Sequence, residues 1–187
     1  MTDVPTPLIL CVDDDHDTLA LIERFLRKGG YQAVTVDRAK KALQMLEKVK
    51  PDLILLDIVM PEMGGYEFCA ELQKREDWAF IPVVFLTAQT GERDKARAFS
   101  LGAVDYITKP TSQENLNTII AKHLKARTWW NEIQEREAFV DLQELHPDFN
   151  KFKVFLLDKL SLPEEQRGRI RQSGPHQIYS MLADTDI

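Results

Sequence analysis

The stretch Asp52-Leu53-Ile54-Leu55-Leu56-Asp57-Ile58-Val59-Met60-Pro61-Glu62-Met63-Gly64-Gly65 decides the fold. Its apolar run reads as a buried strand, and Asp57 stands where that strand gives way to a Pro/Gly turn. A carboxylate so placed lies at the mouth of a sheet, where open α/β folds do their chemistry. Three further runs end in the same way. Leu8-Ile9-Leu10-Cys11-Val12 leads into Asp13 and Asp14, Ile81-Pro82-Val83-Val84-Phe85-Leu86 into Thr87, and Val104-Asp105-Tyr106-Ile107-Thr108 into Lys109. Four strand ends thus offer three acids, a hydroxyl and a lysine, which together describe a phosphoryl site.

Between these runs the period changes. Leu19, Ile22, Phe25 and Leu26 share one helical face in a segment from Thr18 to Lys28 that stops at Gly29-Gly30. Tyr31 to Val36 alternates like a strand. Ala39, Ala42, Leu43 and Leu46 resume helical spacing until Pro51, and Tyr66–Arg75 and Glu92–Leu101 give two more helices. Strands alternating with helices at this rhythm pair in parallel through right-handed crossovers. The expected architecture is α/β: a doubly wound, five-stranded parallel sheet with five helices in the first ~125 residues.

The fifth helix is the unusual one. Thr111 and Glu114 suggest a capping box, and no Pro or Gly occurs from Ser112 to His146. A single helix over that span would run ~50 Å, past the edge of a small α/β domain. Leu116, Ile119, Ile120 and Leu124 fit the domain, and Trp129-Trp130, Ile133, Val140, Leu142 and Leu145 follow in looser register, with Thr128 as the place for a kink. Three short helices are expected beyond Pro147. The chain therefore divides into residues 7–125 and a helical extension, 126–187.

Composition supports a soluble globular protein: of 187 residues, 44% are hydrophobic and 29% charged. The net charge of −6 is shared between the two parts, so neither attracts nucleic acid by bulk charge. Cys11 and Cys69 are too few for a disulfide framework and read as structural. No apolar stretch approaches the ~18 residues of a membrane span, and the first residues lack the pattern of a signal peptide. A cytoplasmic location is expected.

Three carboxylates brought close repel one another unless a cation intervenes. Oxygen-only ligands favour a hard ion such as Mg²⁺. Asp14 and Asp57 are the expected direct ligands, Asp13 acts through water, and the backbone carbonyl of Val59 completes the protein's share. The ion would neutralise an incoming phosphoryl group, letting anionic Asp57 approach it as nucleophile. Lys109 adds a second positive charge, and the Thr87 hydroxyl can donate to a phosphoryl oxygen.

These residues closely resemble the receiver domain of two-component response regulators. The likeness covers about residues 7 to 125 and rests on Val12-Asp13-Asp14-Asp15, the Asp57 run, Thr87-Ala88, and Gly102-Ala103-Val104-Asp105-Tyr106-Ile107-Thr108-Lys109-Pro110. It implies a flavodoxin-like fold in which Asp57 accepts phosphate from a sensor histidine kinase or phosphotransfer protein. It implies that Asp13 and Asp14 organise Mg²⁺, that Thr87 and Lys109 read the phosphoryl group, and that Tyr106 is an aromatic switch coupled to Thr87. It also implies a cis Lys109–Pro110 bond. Beyond assisting its own phosphorylation and dephosphorylation, such a domain is not an enzyme. Tyr106 as a packing residue, and Asp15 or Asp17 as a helix N-cap, are the plain readings beside these. His16, and Thr111 after Lys109-Pro110, depart from the commonest pattern. Val59 and Gln89 flank the path of an attacking water, and apolar Val59 predicts slow self-dephosphorylation.

The extension carries no metal cluster, nucleophile elbow or Gly-rich phosphate loop, and His146 and His176 stand alone. A winged helix needs more residues than remain. Arg167, Arg169 and Arg171 alternate, so they do not all line one helical face. The expected output is therefore protein contact: a downstream protein target, or a homodimer through the fifth helix with Trp129 and Trp130 as anchors. DNA is not the expected partner. A transcription regulator with an atypical DNA-binding segment, or the regulatory part of a larger signalling enzyme, are the alternatives.

Overall fold

The computed structural model describes residues 6–137 except residue 80, with backbone alone for Glu76, Ala79 and residues 126–137. Five strands, β1 (Leu8–Val12), β2 (Gln32–Val36), β3 (Leu53–Leu56), β4 (Val83–Thr87) and β5 (Asp105–Thr108), alternate with helices. The helices are α1 (His16–Lys28), α2 (Ala39–Leu46), α3 (Gly65–Gln73), α4 (Glu76–Ala79), α5 (Glu92–Ser100) and α6 (Gln113–Glu137). All four strand pairings are parallel, in the order β2-β1-β3-β4-β5. This is the expected doubly wound sheet, with the single turn α4 as an addition.

Side-chain alternation along the strands sorts the core into two layers. Leu10, Val12, Ile54, Leu56, Val83 and Phe85 meet one cluster, which includes Ala42 and Leu46 of α2, Phe68 and Leu72 of α3, and Ala98 of α5. Their neighbours Ile9, Cys11, Leu53, Leu55, Val84 and Leu86 meet the other, which includes Leu19, Ile22 and Leu26 of α1 with Leu116 and Ile120 of α6. Every residue of β3 is buried, as a strand covered on both faces requires. Each such aliphatic side chain contributes about 1.5–3 kcal/mol by leaving water. Cys11 and Cys69 are buried free thiols, and burial pushes the Cys69 thiol up to about 12. They belong to this packing.

Helix boundaries follow local chemistry. Asp15 is the N-cap of α1, accepting from the Asp17 N–H at 3.0 Å and from the Thr18 hydroxyl at 2.8 Å. At α6 the cap is Ser112, whose Oγ accepts from the Asn115 N–H at 3.1 Å. Thr111 instead accepts from the Asn115 side chain at 3.0 Å, so the N-cap falls one residue after the expected Thr111 and the Thr111–Glu114 box does not form. The α6 backbone continues through Thr128, where a kink was allowed for, to Glu137. Val140, Leu142, Leu145, His146, His176 and the stretch beyond Pro147 in which three short helices are expected lie outside the described residues. No helix among the described residues is long and apolar enough to cross a membrane.

Candidate functional site

Strand order reverses about β1: β2 lies on one side, β3 and all later strands on the other. The crevice beyond the carboxyl ends of β1 and β3 is where such sheets place ligands. Backbone pairing fixes both acids there. The Asp13 N–H donates to Val36 O at 3.1 Å, and the Asp57 N–H donates to Val12 O at 2.9 Å. Both residues are buried, at 5% and 6% exposure.

One ammonium joins them. Lys109 Nζ donates to Asp13 Oδ2 at 2.5 Å and to Asp57 Oδ1 at 2.9 Å. The remaining oxygens are also engaged: Asp13 Oδ1 accepts from the Asp15 N–H at 3.0 Å, and Asp57 Oδ2 from the Val59 N–H at 2.7 Å. Burial raises the Asp13 carboxyl above its usual range, outweighing the Lys109 hydrogen bond that pulls the other way. For Lys109, burial opposes the charge, yet its bonds to Asp13 and then Asp57 prevail and raise its pKa. The Lys109–Pro110 bond is cis.

A close backbone approach shapes the β3 exit. The Gly65 N–H donates to Ile58 O at 2.9 Å, and a Cβ at Gly65 would stand 2.3 Å from Asp57 O and 2.9 Å from the Phe85 ring. Only glycine lets α3 begin this near the acid. Val59 is 60% exposed at the rim.

Thr87 is buried at the end of β4, and its carbonyl accepts from the Lys109 N–H at 2.8 Å. Its hydroxyl accepts from the Gln89 N–H at 3.4 Å. The Tyr106 ring centroid lies 6.3 Å from that of Phe85, which lies 5.6 Å from that of Tyr66. The Tyr106 hydroxyl donates to Gln89 O at 3.0 Å. Asp13, Asp57 and Lys109 therefore converge, with Thr87 at the adjoining strand end and Tyr106 one layer away.

Asp14, next in the chain to Asp13, is half-buried. Among the described residues no group of three or more His, Cys, Asp or Glu side chains is arranged to hold a metal ion, since Lys109 rather than a third acid completes the cluster. The donor set still suits a hard cation. It offers oxygens only, and two buried acids face a single ammonium.

One polar residue of the interior was missed from the sequence. His123 is 1% exposed, and its Nε2 lies 2.9 Å from Asp105 Oδ2. Asp105 Oδ1 accepts from the Tyr106 N–H at 2.8 Å. Burial works against the Asp105 charge, but His123 and that N–H lower its pKa on balance. His123 follows Leu116 and Ile120 at i+7 and i+3, a spacing that marks the core face of α6 and could have revealed it.

Residues 9–121 match the family described as "Response regulator receiver domain". The chain is 37% identical over 165 residues to the alkaline phosphatase synthesis transcriptional regulatory protein PhoP of Bacillus subtilis, covering 88% of this chain and 64% of that protein. It is 36% identical over 129 residues to the transcriptional regulatory protein YrkP of the same organism, covering 69% and 54%. It thus spans between half and two-thirds of these relatives. Among solved structures, chemotaxis protein CheY4 of Vibrio cholerae aligns with a TM-score of 0.61 at 27% identity, over 63% of this chain and 98% of that one. The receiver domain of a LuxO repressor protein from Vibrio parahaemolyticus aligns with a TM-score of 0.65 at 26% identity, over 70% and 98%. With the sheet order, the acid pair and its lysine already in place, the chain belongs to the response regulator receiver family of two-component systems.

Proposed function

We propose that Asp57 accepts a phosphoryl group from a sensor histidine kinase or phosphotransfer protein. A carboxylate oxygen attacks phosphorus, the bond to the donor's imidazole nitrogen breaks, and its electron pair stays on that nitrogen, leaving an acyl phosphate on Asp57. The observation that carries this is the Lys109 ammonium bridging Asp57 and Asp13. It holds the acceptor in place and meets the added negative charge. Asp13, Asp14, Asp57 and the Val59 carbonyl would hold Mg²⁺, with Lys109 releasing Asp13 to make room. When bound, that ion supplies charge neutralisation between the two anions. Thr87 donates its hydroxyl to the phosphoryl oxygen in place of accepting from Gln89, and Tyr106 reports the change on the α5–β5–α6 face. In this reading the protein works in the cytoplasm, with residues 7–125 as the receiver and 126–187 as the segment through which it signals by contact with a target or a second copy.

Incubation with acetyl phosphate and Mg²⁺ should add one phosphoryl group to the intact mass, and Asp57→Ala should abolish the gain. An unaltered mass in the parent protein overturns the proposal. A pull-down with beryllofluoride-treated protein against Asp57→Ala then identifies the target. Val59 offers water no hydrogen bond, so Val59→Asn should lose its acyl phosphate faster than the parent.

A second reading has its own support. The match to the transcriptional regulatory protein PhoP extends over 165 residues, beyond the receiver. DNA binding by the extension would appear as a salt-dependent mobility shift on genomic DNA. A match to a probable cyclic di-GMP phosphodiesterase of Vibrio cholerae over 28% of its length leaves room for an enzymatic partner domain.

A further inference from the structure

Several contacts beside the switch converge on one residue that the phosphoryl chemistry does not use. Asp94, in the first turn of α5, is half-buried. The Gln89 amide, oriented with its nitrogen toward Asp94, donates to Oδ1 at 3.1 Å and Oδ2 at 3.3 Å. The Asp94 carbonyl accepts from the Tyr66 hydroxyl at 3.2 Å, and the Arg97 guanidinium sits 4.3 Å above the Tyr66 ring. Gly91 makes room for this: a Cβ there would stand 2.7 Å from Asp94 Oδ2. Gln89 in turn offers its carbonyl to the Tyr106 hydroxyl and its N–H to Thr87.

We propose that Asp94 is a positioning residue of the switch: by holding Gln89 it keeps the Tyr106 ring turned in over Phe85 before any phosphoryl group is present. The loop after β4 carries both contacts to the switch pair, so whatever fixes that loop biases the ring. Gln89 without its side-chain anchor keeps only its backbone contacts, one of them long. Tyr66, held from above by Arg97, fixes the helix end that bears Asp94, tying α3 to α5 across Phe85. Burial, reinforced by Tyr66, Asp94 and Asp57, pushes the Tyr106 hydroxyl up to about 12, so it remains a donor throughout the physiological range. The inference rests on Tyr106 being the switch, but the ring position it concerns is measurable without phosphate.

The test is fluorine NMR of fluorotyrosine-labelled full-length protein, with Tyr106→Phe assigning the resonance. In Asp94→Ala the inward-to-outward ratio of the Tyr106 ring should fall about fivefold, the size expected from losing one hydrogen bond. Tyr66→Phe should shift it the same way by less. Asp94→Asn keeps an acceptor for Gln89 while losing the charge near the helix N-terminus, so it should resemble the parent. A Tyr106 resonance unmoved in Asp94→Ala overturns the proposal. So does Asp94→Asn matching Asp94→Ala, which would make the charge at the helix end the cause. Acetyl phosphate labelling run in parallel separates the two readings. An unlabelled parent removes the phosphoryl role of Asp57, whereas a labelled parent with an unmoved ring removes only the role of Asp94.

Discussion

Two partly buried polar clusters hang from the same short strand. At the carboxyl end of β5, Lys109 reaches across to Asp13 and Asp57, on the ends of β1 and β3. At its start, Asp105 meets His123 on α6. In the first cluster two acids face one ammonium, burial dominates Asp13, and its carboxyl is raised. In the second, one acid meets one imidazole and a backbone N–H, the partners outweigh burial, and the carboxyl is lowered. The first is an electrostatic arrangement left short of positive charge, as a site that must bind something is. The second is satisfied, apart from a buried His123 Nδ1 with no partner among the described residues, and serves to fasten a helix.

That division predicts that function and stability separate between the clusters. The largest effect is expected at Asp57. Asp57→Asn should abolish labelling by acetyl phosphate while leaving folding stability within about 1 kcal/mol, because Lys109 keeps a matched partner in Asp13. Denaturant unfolding and intact mass read the two arms, and a large stability loss would erase the contrast. His123→Ala should do the reverse. It leaves a cavity and an acid without its partner, a cost of about 3 kcal/mol by urea unfolding, yet the folded variant should still accept phosphate.

The two clusters also differ in how far a sequence can disclose them. Asp13, Asp57, Thr87 and Lys109 each end an apolar run, and a parallel sheet aligns the ends of its strands, so their meeting follows from topology alone. The two-layer core was legible for the same reason: alternation in β1, β3 and β4 assigns each side chain to a face. Asp105 and His123 lie in a strand and a helix joined by the Lys109–Pro110 turn, and nothing in their spacing states that one faces the other. Polarity hid His123, since a helical face was sought among Leu116, Ile119, Ile120 and Leu124. Asp94, Gln89 and Tyr66 were hidden differently, because backbone carbonyls accept two of their contacts and any residue supplies a carbonyl. The cap at Ser112 rather than Thr111 shows the usual one-residue uncertainty of helix ends.

The acid limb of stability sharpens the contrast by a smaller amount. Asp105 is lowered below its ordinary value of 3.8, so its stabilising contribution is present above that value and lost as pH falls through the folded one. The parent should therefore lose more stability than His123→Ala between neutrality and about pH 3, and the gap between them should narrow. Urea midpoints measured across that range check it. A constant gap would mean that His123 contributes packing alone.

The smallest expected effect concerns strain, which also falls on the site side. Among the described residues Glu62 is the non-glycine residue with a positive φ, at 66°, in the loop between Asp57 and α3. A side chain in the left-handed region costs roughly 1–2 kcal/mol, and glycine would return part of any relief through its freer unfolded chain. Glu62 also pairs with Lys40 at 3.0 Å, but both are more than half exposed, so that bond is worth little. Glu62→Gly should raise stability by about 0.5 kcal/mol with acetyl phosphate labelling unchanged. A slower labelling rate at unchanged or higher stability would show instead that the strained turn helps to set the Asp57 carboxylate, extending the charge-deficient cluster by one loop.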